Sequence, residues 1–118
     1  NLSVSNVYCY ELSSNCVTAT SDRRLKTDIV NLGSPLRKMS KIGGYNFKWI
    51  ASGDSDIGVM AQEIEAVLPH VVHTSTSNGT KRVDYMRIIP LLIEAIKKLN
   101  DRVNTLLTDV EQLKNANN

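Results

Sequence analysis

Residues 92–113 read LIEAIKKLNDRVNTLLTDVEQL, and the apolar positions in that stretch decide the fold. Leu92, Ile96, Leu99, Val103, Leu106, Val110 and Leu113 recur at spacings of 4, 3, 4, 3, 4 and 3. A half-buried strand would alternate every second residue, whereas this pattern is a heptad repeat, with Ile96, Val103 and Val110 at a and the leucines at d. The spacing predicts a long helix whose stripe forms the seam of a parallel coiled coil. The competing reading is an amphipathic helix packed on its own domain. The polar character of residues 100–118 away from the stripe favours a seam shared between chains. β-branched residues at a with Leu at d lean towards dimers, while Ile93 and Leu107 at e widen the apolar face as a trimer needs. Asp109 at g and Lys114 at the following e carry opposite signs, which suits parallel chains in register. Dimer and trimer both stay open on the residues alone.

Upstream of the helix the pattern shortens and mixes. Asp84 is a candidate cap for the element after it. Ser77-Asn78-Gly79 predicts a hairpin turn, because Asn-Gly accepts positive φ at little cost, between strands starting at Val71-Val72 and at Lys81–Val83. The run from Ile57 to Ala61 reads as a short strand, followed by a helical stretch that Pro69 ends. In GYNFKWI (residues 44–50), Tyr45, Phe47 and Trp49 alternate on one face of a strand, which is expected to anchor the core. Ser34-Pro35 reads as a capped helix start, with Leu36, Met39 and Ile42 on one face and Gly43-Gly44 as the stop. The fold class expected is α+β: a small mixed domain of short strands and helices, then a long C-terminal helix in a parallel coiled coil, trimeric if the resemblance given below holds. Residues 1–20 differ in kind, with one charge (Glu11) and many Ser, Thr and Asn, and suit the β-rich end of a larger upstream body.

Composition excludes several function classes. At 118 residues the chain is of single-domain length. Its 42% hydrophobic content argues against wholesale disorder. A domain this small hides only about 60–70% of its unfolded surface, so a partner subunit would help it. A net charge of +2 is too weak a bias to argue for nucleic acid. No run of 18 apolar residues exists, and the first residues lack a basic start with an apolar block, so neither a membrane span nor a secretory leader is expected. Cys9 and Cys16 form no CxxC and have no His nearby in sequence. A disulfide between them is allowed but not required; they read as free thiols of a reducing compartment, and no metal or cofactor is expected. His70 and His73 would face opposite ways on a strand, which rules out a simple shared ligand pair.

SDRRLKTDI (residues 21–29), GVMAQEIEAVLP (58–69) and VDYMRIIPLLIEAIKKL (83–99) occur in that order. Together they resemble the endosialidase-type intramolecular chaperone domain, a self-cleaving peptidase family at the C-termini of phage tail spikes and fibres. A related domain occurs in a vertebrate membrane-bound transcription factor. The likeness covers residues 21–100, and SDxxxK alone would be a weak signal. It implies a Ser-Lys dyad, here Ser21 and Lys26, cutting the bond between Thr20 and Ser21. The chemistry is sensible, since Ser21 Oγ can reach the Thr20 carbonyl through a five-membered ring and the resulting ester can be hydrolysed. A serine hydroxyl needs a base, and lysine, with an unperturbed pKa of about 10.4, serves as one only if burial or neighbouring cations lower it. Arg23 and Arg24 are candidates for that positive potential. Residues five apart face different ways on a helix and opposite ways on a strand. Ser21 and Lys26 therefore meet only if the chain between them bends, or if Lys26 comes from a neighbouring subunit. Gln62 and Glu63 are candidates for supporting the cleavage site; the plainer reading makes them the polar part of a strand-to-helix junction.

Three parts are expected: residues 1–20, outside the likeness and by position the released end of an upstream fibre, 21–90 as chaperone and autoprotease, and 91–118 as the trimerisation helix. The partners the resemblance implies are two further copies of the chain and the fibre above them, with no nucleic acid and no membrane. Assembly would take place in the host cytoplasm, with the fibre going into the virion tail and the released chaperone staying out of it. A trimerisation module with an inactive site is the main rival. A nucleic-acid-binding role for Arg23, Arg24, Lys26, Lys81 and Arg82 lacks both charge bias and a reader motif.

Overall fold

A computed structural model describes residues 18–117, so Cys9, Cys16 and most of the expected upstream end lie outside the described residues. The chain divides into two units, residues 1–30 and 31–118. In the first, a 3-10 turn spans Arg23–Leu25. The second begins with helix α1 (Pro35–Met39), then strands β1 (Tyr45–Lys48) and β2 (Ser55–Gly58) and helix α2 (Ala61–Val67). A 3-10 turn at Pro69–Val71 leads to β3 (Val72–Thr74) and β4 (Lys81–Val83). Another at Tyr85–Ile88 leads into helix α3, Ile89–Ala116. The described structure is thus α+β, with short strands and helices ahead of a single long C-terminal helix.

Each pair of strands is an antiparallel hairpin. β1 pairs with β2 in the register Tyr45↔Gly58 to Lys48↔Ser55, and β3 with β4 from Val72↔Val83 to Thr74↔Lys81. Gly79 takes a φ of +74°, so the Asn-Gly signal marks the turn through its glycine. Ile64, Val71 and Val72 form the core of the second unit, with Ile42, Val59, Ala61, Leu68, Val83 and Ile88 packed against them. Asp84 N–H donates to Val71 O at 2.8 Å and closes the β3–β4 hairpin onto the turn before it. α1 packs along α3. Asn31 Nδ2 donates to Glu94 Oε1 at 2.8 Å, which ties the start of this unit to the same helix.

Four expectations are corrected. The aromatic face of β1 is not the core: Tyr45 is 40% and Trp49 54% exposed, and Phe47 is half-buried. Phe47 and Trp49 pack edge to face on each other, while the aliphatic residues of α2 and the β3 hairpin close-pack around Ile64. Ser34 is not a side-chain cap, because it stands in the left-handed region at φ 50° and its hydroxyl makes no capping bond. Asp84 likewise makes no side-chain cap. The strand expected over Ile57–Ala61 ends at Gly58, because Met60 O already accepts from the amides of Glu63 and Ile64 and starts α2.

α3 is 28 residues, about 42 Å at 1.5 Å per residue. It begins at Ile89, two residues ahead of the expected segment 91–118, with Pro90 in its first turn where no amide partner is lost. The helix buries only Leu91 and Ala95. Its heptad positions Leu92, Ile96, Leu99, Val103, Leu106, Val110 and Leu113 are 39–66% exposed in the single chain.

Candidate functional site

The first unit answers how residues five apart can meet. Asp22 is extended (φ −70°, ψ 127°), the Arg23–Leu25 turn reverses the chain, and Lys26 is extended again (φ −121°, ψ 147°). Leu25 N–H donates to Asp22 O at 3.1 Å and Lys26 N–H to Arg23 O at 3.0 Å. One turn between two extended residues carries the lysine side chain back, and Lys26 Nζ donates to Ser21 Oγ at 2.7 Å. The bend alone suffices, so the pair forms within one chain.

Asp22 holds the turn. Its Oδ1 accepts from the Arg24 amide at 2.9 Å. Arg24 Nε lies 3.2 Å from both carboxylate oxygens and Nη2 donates to Oδ2 at 2.8 Å. The Arg24 side chain, and secondarily its amide, holds the Asp22 carboxyl below its ordinary range, and the same contact raises Arg24. Arg24 is thereby committed to Asp22 and does not act as an uncompensated cation beside the lysine. Sequence reasoning passed over this pair; the signal available was a capping residue followed two positions later by arginine.

Residues 18–30 are all exposed. An amine and a hydroxyl in contact, directly after the Thr20 carbonyl, have the parts for acyl transfer from nitrogen to oxygen. In the single chain the pair is open to water.

Glu63 belongs to the second unit, where α2 opens. Its Oε1 accepts from Gly43 N–H at 2.9 Å and its Oε2 from the Tyr45 hydroxyl at 2.7 Å. The Tyr45 bond, then the Gly43 amide, holds the Glu63 carboxyl below its ordinary range, and the Glu63 contact raises Tyr45. Both carboxylate oxygens are therefore engaged in pinning the start of β1 to α2. Gln62 is exposed. Among the described residues no helix is long and apolar enough to cross a membrane, and no group of three or more His, Cys, Asp or Glu is placed to hold a metal.

Residues 21–73 match the family described as chaperone of endosialidase. The long tail fiber protein Gp37 of Salmonella phage S16 is 35% identical over 120 residues, covering 92% of this chain and 15% of that protein. Gp37 of Enterobacteria phage K3 is 33% identical over 110 residues, covering 86% of this chain and 9% of its own length. The chain thus spans 15% or less of the length of these relatives. By class it is a phage tail fibre chaperone-type domain. The match to the chaperone of endosialidase family spans residues 21–73, a little under half of the chain.

Proposed function

We propose that this domain drives three copies of a phage tail fibre to fold together and then cuts itself off at the Thr20–Ser21 bond. The observation that carries the reading is the 2.7 Å contact between Lys26 Nζ and Ser21 Oγ, one residue after the carbonyl to be attacked. In the reaction Lys26, as the free amine, takes the Ser21 hydroxyl proton while Oγ attacks the Thr20 carbonyl carbon. The Thr20–Ser21 C–N bond breaks, the Ser21 nitrogen takes a proton, and an ester links Thr20 to Oγ. Water then cleaves the ester, leaving a Thr20 carboxylate and a free amino group on Ser21.

Assembly supplies what a single chain lacks. The α3 stripe has a polar surround and stands exposed among the described residues, and a parallel trimeric coil would bury it. That coil holds the fibre ends in register and raises their effective concentration. Threading a trimeric β fibre is slow because its contacts are non-local. The dyad contact is local and needs no second chain, so the step that waits for the folded fibre is the exclusion of water and the supply of an oxyanion donor, which strengthens charge stabilisation at the carbonyl. Cleavage then removes the scaffold, and the fibre's later resistance to unfolding is kinetic. Fibre and domain would assemble together in the host cytoplasm, and the fibre alone would enter the virion.

The exposure of Ser21 and Lys26 also suits the rival, a trimerisation module with an inactive site. Variants of the whole chain with its upstream fibre segment separate the two. Ser21→Ala is expected to stay uncut with its fold intact. Lys26→Arg keeps the charge but no longer has a proton to lose at accessible pH, and should cut slower by orders of magnitude at unchanged oligomer mass. Equal scission in either variant would exclude the dyad.

A further inference from the structure

We infer that Asp22 is a positioning residue for the self-cleavage, acting through the turn that presents Lys26 to Ser21. The inference rests on the cleavage reading above and adds a residue that acts on neither reacting atom. The turn has three residues, all exposed, and buries nothing. Two backbone hydrogen bonds, at 3.1 and 3.0 Å, close it. A lone exposed 3-10 turn is weakly held, since fixing its dihedrals gains so few bonds. Lysine adds a long, freely rotating stem, so the 2.7 Å contact with Ser21 lasts only while the backbone keeps residues 21 and 26 facing each other.

Asp22 supplies the missing hold. Oδ1 takes the Arg24 amide, one of the amides that a helical turn leaves without a partner. Oδ2 takes Arg24 Nη2, which fixes the carboxylate rotamer so that Oδ1 stays aimed at the amide. Arg24 has a second effect, because it offsets a carboxylate that would otherwise stand uncompensated one residue from Ser21. The geometry assigns the capping oxygen, rather than the negative charge, as the feature cleavage needs.

Substitutions at Asp22 separate the oxygen from the charge. Asp22→Asn keeps the capping oxygen and loses the charge, and Asn caps as well as Asp. Asp22→Ala loses both. In the whole chain with its fibre segment, Asp22→Asn is expected to cut within about threefold of the parent, and Asp22→Ala roughly ten- to a hundredfold slower. Oligomer mass should be the same in all three, because the turn touches no core. A second readout is independent of scission: in a Ser21→Ala background, Arg24 amide exchange should speed up with Asp22→Ala and not with Asp22→Asn. An Asp22→Asn variant as slow as Asp22→Ala would show that the charge matters and overturn the capping assignment. Parent-like cutting by Asp22→Ala would overturn the positioning role. A parent that does not cut, or a Ser21→Ala variant that does, would instead remove the cleavage reading beneath it.

Discussion

Glu63 is bound from two sides, by the Gly43 amide and the Tyr45 hydroxyl, and that contact makes stability depend on pH. Its carboxyl lies below its ordinary value of 4.5 in the fold. A depressed carboxyl contributes stability above its unfolded pKa and loses it as pH falls through the lower folded value. Tyr45, raised above 10.0, contributes below that value and loses its contribution as pH rises beyond it. Glu63→Gln should therefore melt below the parent at pH 7, and the gap should narrow as pH falls from 5 towards 3. A gap that stays constant across thermal melts over that range would show that the carboxylate charge is not what holds β1 to α2. At this scale the sequence was only half legible. The resemblance carried by SDRRLK and the two later motifs pointed to Ser21 and Lys26, and their spacing called for either a bend or a lysine from a neighbouring subunit. The bend itself was hidden, because a three-residue 3-10 turn has no periodicity and depends on one side-chain oxygen. Glu63 was visible as a polar residue at a strand-to-helix junction. Its partners, eighteen and twenty residues away, were not.

Gly58 shows how tightly the β1–β2 hairpin meets the turn before α3. A Cβ there would lie 2.7 Å from Tyr85 Oη and 3.3 Å from the Phe47 ring. Tyr85 cannot simply move aside, since its hydroxyl accepts the Val59 amide at 3.2 Å. Gly58→Ala is expected to cost about 1–3 kcal/mol through overpacking. Chemical denaturation should show a lower midpoint at unchanged slope, and an unchanged midpoint would mean that Tyr85 yields freely. Elements with strong local signals were read correctly: the heptads gave α3, Asn-Gly gave the β3–β4 turn, and Pro69 the end of α2. Where the reading failed, tertiary packing outweighed local pattern. Tyr45, Phe47 and Trp49 alternate as a buried strand face would, yet aliphatic α2 and β3 fill the centre. Ser34-Pro35 has the residues of a capped start, but the left-handed backbone at Ser34 leaves its hydroxyl without a capping bond.

Two faces of α3 divide the work of the whole molecule. Leu91 and Ala95 are buried, while the stripe from Leu92 to Leu113 is 39–66% exposed. Val103→Asp together with Leu106→Asp places two carboxylates per chain on the seam and touches neither Leu91 nor Ala95. Burying such charges unpaired costs several kcal/mol each, so the coil should open. Light scattering should then report monomers, and scission should fall if the site is completed only in the assembly. A stable trimer would place association in the remainder of the domain. A monomer that still cuts would disconnect cleavage from assembly. The central claim, that Ser21 and Lys26 sever the chain before Ser21, is tested most directly by the denatured mass of the unmodified protein, produced with its fibre segment. The account predicts a C-terminal species of residues 21–118 with a free amino group on Ser21, matched by a fibre species ending at Thr20. A single uncut mass from fully assembled trimers, or a cut at any other bond, would contradict it.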